Sequence, residues 1–65
     1  MNENKRINYI TKYKMLINVY ESKTNMTYNN YKNDKITYDK YKNIRNENNI
    51  QIARCKRKIQ LLESM

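Results

Sequence analysis

Between Thr37 and Met65 the side chains Tyr41, Ile44, Asn48, Ile52, Cys55, Ile59 and Leu62 recur at steps of 3, 4, 4, 3, 4 and 3. An α-helix carries that spacing as one narrow stripe, whereas a strand, which alternates every second residue, scatters it over two faces. Only Asn48 interrupts the apolar run. The start of the helix is also legible. The Thr37 hydroxyl is placed to cap the first turn, and Ile36 and Tyr41 occupy the N′ and N4 positions of a hydrophobic staple. A helix over about 37–63 is therefore expected.

A second stripe precedes it. Ile10, Tyr13, Ile17, Tyr20, Thr24, Thr27 and Tyr31 follow steps of 3, 4, 3, 4, 3 and 4, a regular heptad. Ile7, Tyr9, Leu16 and Tyr28 widen it. Met15, Val19 and Met26 fall towards the far side and point to a second contact surface, for another copy or a partner. The expected helix covers about 5–32, after a polar, frayed stretch at 1–4. Its weak part is Ser22–Asn30, with two Thr, three Asn and one Ser. These are modest helix formers. A break near Asn25, with Thr27 as a new cap, would give three helices instead of two.

The connection is Tyr31–Thr37, YKNDKIT. The chain has no glycine and no proline, so the many tight turns of a β-rich fold lack their usual residues. Asn33 and Asp34 tolerate left-handed backbone and suit one tight turn. A β-hairpin turning there is the competing reading, and two strands alone are marginal. The near-repeat of TYNNYKN (Thr27–Asn33) as TYDKYKN (Thr37–Asn43) reflects biased composition.

Folding the stripes back on each other gives an all-α antiparallel two-helix hairpin in a single small domain, residues 1–65. The register sets Tyr31 against Tyr38, Tyr28 against Tyr41, Thr24 against Ile44 and Tyr20 against Asn48. Further out, Ile17 meets Ile52, Tyr13 meets Cys55, and Ile10 meets Ile59. Asn48 either bonds the Tyr20 hydroxyl, fixing register as a buried Asn does in coiled coils, or lies at a wet edge.

A chain of 65 residues buries little core and usually needs a staple or a partner. One cysteine cannot make an internal disulfide, and the absence of histidine removes ordinary zinc sites. Partner binding or homo-oligomerisation is the expectation. No apolar run approaches a membrane span or a signal-peptide core. With an unpaired cysteine, that leads to an expected cytoplasmic location, the host cell's if the chain is viral.

Catalysis is not expected, and neither is a cofactor. There is no phosphate loop, and no carboxylate pair lies in an apolar setting. Cys55 has Arg54, Lys56, Arg57 and Lys58 around it, which favour a thiolate. It also sits on the apolar stripe, where a buried structural cysteine is the ordinary case.

The net charge is +8 and the pI about 9.8. Such a charge suits nucleic acid, an acidic protein surface or a nucleoprotein. The richness in Lys, Asn, Ile and Tyr is also what AT-rich codons produce. In the hairpin Lys5, Arg6, Lys12 and Lys14 share the open end with Arg54, Lys56, Arg57 and Lys58, while the nearby acids are Glu3 and Glu63. These eight are the candidate partner- or nucleic-acid-binding residues. Tyrosines among lysines can stack on bases, but Tyr13, Tyr20, Tyr31 and Tyr41 belong to the seam. Tyr9, Tyr28 and Tyr38 lie nearer its edges. No helix-turn-helix, RRM or zinc signature supports base readout.

The runs LINVYES, then YKNDKITYDKYKNIRNENN, then a helix closing on KRKIQLLE carry a resemblance. Over residues 16–62 the chain resembles the coiled-coil hairpin in the C-terminal part of large serine recombinases. That hairpin has a YE-containing helix, a short turn ending in Ile-Thr, and a Tyr-bearing return helix. The resemblance implies a helical hairpin used for contact between subunits. It does not extend to that family's catalytic and zinc-ribbon domains, and the family's hairpins are richer in Glu.

Two functions are expected from these features. One is a non-enzymatic interaction protein of a phage, plasmid or similar element, docking on a larger protein–nucleic-acid machine and inhibiting or modulating it. The other is a direct, sequence-nonspecific DNA- or RNA-binding protein acting through its basic end. A self-assembling structural protein is a third possibility.

Overall fold

The computed structural model describes residues 2–65. They form two α-helices, α1 (Glu3–Lys32) and α2 (Tyr38–Glu63), packed antiparallel as a hairpin. The rod measures 49 × 14 × 10 Å.

α1 begins earlier than its periodicity implies. Asn2 is the N-cap, its Oδ1 accepting from the Lys5 backbone N–H at 2.8 Å. Glu3, in the first turn, meets the positive end of the helix dipole. Glu3 and Asn4 are thus helical, not frayed.

The Ser22–Asn30 segment stays helical, and α1 runs unbroken past Asn25. The physical reason is local. Thr24 and Thr27 donate their hydroxyls to the carbonyls of Tyr20 (3.0 Å) and Lys23 (2.8 Å), one turn back. Polar groups that compete with helix elsewhere are here satisfied inside it. The described residues form no strand, so the alternative β-hairpin is not adopted.

The turn closes without glycine. Asn33 is the C-cap and Asp34 takes the left-handed conformation, φ 59°. The Lys35 N–H donates to the Asn30 carbonyl at 2.8 Å and the Asp34 N–H to the Tyr31 carbonyl at 3.1 Å. This is the Schellman arrangement that satisfies the last carbonyls of a helix. Thr37 then caps α2, its Oγ1 accepting from the Lys40 N–H at 3.2 Å. Ile36 is half-buried beside it and Tyr41 is buried, in keeping with the staple positions.

Both stripes face the seam. All seven α1 stripe residues are half-buried, and in α2 Tyr41, Asn48 and Cys55 are buried while the other four are half-buried. At the closed end Tyr31 and Tyr41 stack at 5.5 Å and 12°. Tyr38 meets Tyr31 edge-on at 5.6 Å and Tyr28 meets Tyr41 edge-on at 5.7 Å. Midway along, Asn48 Nδ2 donates to Thr24 Oγ1 at 3.1 Å. Asn48 is 8% exposed, so it is a buried polar group and not a wet edge. Its partner is Thr24, one turn nearer the loop than the expected Tyr20. A hairpin of two helices covers only one side of each, and no residue of α1 is buried, whereas α2 buries three.

Candidate docking surface at the open end

The eight basic residues share the open end but not one face. Arg6 points across the seam, its Nε and Nη2 donating to both carboxylate oxygens of Glu3 and its Nη1 to the Leu62 carbonyl at 3.3 Å. The hydrogen bond and charge of Glu3 raise its already high pKa. Arg6 is therefore a strut between the start of α1 and the end of α2, where a cation also favours the exposed carbonyls. It is not a free ligand for a partner.

The others are exposed. Lys5 and Lys12, seven apart, lie on one flank of α1. Arg54 and Lys58, four apart, lie on one flank of α2. A shallow groove lined by Tyr9, Tyr13, Lys58, Leu61 and Leu62 joins the two flanks. The Lys58 ammonium sits 5.2 Å from the centre of the Tyr13 ring, which holds its stem over the groove. Lys14 and Lys56 fall on the opposite flanks by the same helical spacing. Arg57 faces outward from α2, its Nη1 3.4 Å from Gln60 Oε1.

Periodicity within the seam does not reveal a second row on α2. Ile50, Ala53, Arg57 and Leu61, at steps of 3, 4 and 4, line an outward depression with Arg54 and Lys58. Ile50 is 53% exposed and Leu61 50%. The signal was present in the sequence as a second 3–4 spacing, offset from the stronger one. Lys58 and Leu61 border both depressions, so groove and row make one continuous surface. It is apolar in its floor and basic at its rim.

Cys55 is a free cysteine buried in the seam, 7% exposed. Among the described residues, no three metal-ligating side chains converge. Among the described residues, no helix is long and apolar enough to cross a membrane. No family model, curated protein or solved structure matches the chain.

Proposed function

We propose that this chain is a non-enzymatic interaction protein of a phage, plasmid or similar mobile element. It docks on a larger protein–nucleic-acid machine, such as a recombinase, RNA-guided nuclease or polymerase, and inhibits or modulates it. The observation that carries this reading is the exposure of Ile50 and Leu61 amid Arg54, Arg57 and Lys58. A surface built only for phosphates has no use for two half-exposed aliphatic side chains on the same face. A surface built for a protein groove with an acidic rim uses both, the apolar floor for affinity and the charges for steering. The resemblance of residues 16–62 to the subunit-contacting hairpin of large serine recombinases agrees with a role in protein contact. The AT-rich residue usage suits a mobile element.

Direct, nonspecific binding to DNA or RNA is the second reading. Lys5, Lys12, Arg54 and Lys58 on adjoining flanks favour it, together with the +8 charge. Sedimentation of the chain with a short duplex at low and moderate salt separates the two. Phosphate binding weakens steeply with salt through counterion release. A helical species that leaves nucleic acid alone at moderate salt is the expected result. A tight, salt-sensitive complex lost on Arg54→Ala and Lys58→Ala, but kept on Ile50→Glu and Leu61→Glu, would overturn protein docking as the primary function.

A further inference from the structure

α1 carries a third row, on the side away from α2. Lys12, Met15, Val19, Ser22, Met26 and Asn29 recur at steps of 3, 4, 3, 4 and 3, and all six are exposed. Met15 and Met26 are 63% and 66% exposed, and Val19 46%. This is the seam pattern of a coiled coil, presented to solvent on a helix that buries nothing completely within the hairpin.

We infer that this row is a homodimer interface, in which α1 of one copy packs antiparallel on α1 of another. Two observations name a second copy as the occupant. The first is charge. Of the fourteen basic residues the row holds only Lys12. A chain of net +8 can approach its own copy only along a nearly uncharged face, whereas the outward row of α2 is rimmed by Arg54, Arg57 and Lys58. The second is the spacing of the row, 3, 4, 3, 4 and 3, which reads the same when reversed and sets its two methionines opposite each other. About a twofold axis between Tyr20 and Glu21, Met15 meets Met26 of the other copy, Val19 meets Ser22, and Lys12 meets Asn29. This is the self-complementarity an isologous interface requires. It also sets the two Lys12 side chains ~25 Å apart along the helix at 1.5 Å per residue, well past the ~8–10 Å screening length. A parallel pair would stack Lys12 on Lys12. Methionine, unbranched and adaptable, fills such a seam without exact shape matching. The dimer leaves the basic surface of each α2 facing outward, one at either end.

Sedimentation equilibrium with far-UV circular dichroism tests the assignment. The expected result is a wild-type dimer at micromolar to sub-millimolar concentration. Val19→Glu should shift it to monomer with helicity largely kept. In the double variant Met15→Glu/Met26→Lys each new Glu faces a new Lys of the other copy. It should therefore dimerise more tightly than either single variant. That comparison reads the register even if Val19→Glu loses its fold. A wild-type chain that is monomeric throughout this range overturns the inference. So does a dimer that survives Val19→Glu but is lost on Ile50→Glu/Leu61→Glu, or a double variant no tighter than its singles.

Discussion

Asn48 on α2 donates its side-chain amide to the hydroxyl of Thr24 on α1 at 3.1 Å, and the same hydroxyl donates to the Tyr20 carbonyl at 3.0 Å. Among the described residues, this relay is the polar link between the helices midway along the seam. It ties their register to a hydroxyl that α1 already holds in place. Thr24→Val keeps the shape and removes the acceptor, leaving a buried amide unpaired. The expected cost is about 1–3 kcal/mol by chemical denaturation. Asn48→Leu with Thr24→Val should recover most of that loss, and the double-mutant cycle should show coupling of about 1 kcal/mol.

Asp34 holds the left-handed position of the turn, φ 59°. Asp34→Gly removes the Cβ clash and should raise the denaturation midpoint. Asp34→Val places a β-branched side chain in the same conformation and should destabilise by about 1–2 kcal/mol. Equal midpoints for the two variants would show that the turn has another geometry in solution.

Arg6 joins Glu3 to the Leu62 carbonyl through three different nitrogens. Arg6→Lys keeps the charge but offers one head in place of a planar fork. Amide exchange near the C-terminus of α2 should become faster in Arg6→Lys and faster still in Arg6→Ala, with the closed end unchanged. Because Glu3 raises the Arg6 pKa, Arg6 remains charged over all working pH. The strut is therefore not lost by titration of Arg6 as pH rises through the neutral range.

Cys55 is buried within the seam. Alkylation of its thiol should follow opening of the hairpin, running at least tenfold slower than in the urea-unfolded chain, which corresponds to about 1.4 kcal/mol of opening free energy. Equal rates in the two states would place Cys55 outside the seam.

The elements of this fold were legible because their signals are local. The 3–4 spacings, the Thr37 cap and the Asn33–Asp34 turn each act within one helical turn of themselves, and no tertiary contact is needed to read them. The same holds for the far-side position of Met15, Val19 and Met26. Pairing was legible at the closed end, where the short turn leaves little freedom, and Tyr31–Tyr38 and Tyr28–Tyr41 meet as counted. Farther out, counting from the turn takes Cα positions, whereas Cα–Cβ bonds tilt towards the N-terminus of each helix. In an antiparallel pair Asn48 leans towards the closed end and Thr24 towards the open end. They meet where counting pairs Asn48 with Tyr20. Tyr31 reaches Tyr41, and Tyr13 reaches Lys58, in the same sense. The charge cluster divided for a related reason. Sequence places eight cations at one end of the rod, but only the packed hairpin decides that Arg6 turns inward to Glu3 and Leu62, Arg57 outward, and Lys58 over Tyr13. Periodicity states which side of a helix a residue occupies. The stagger and approach of the second helix, set by the volumes packed between them, decide what that side chain touches.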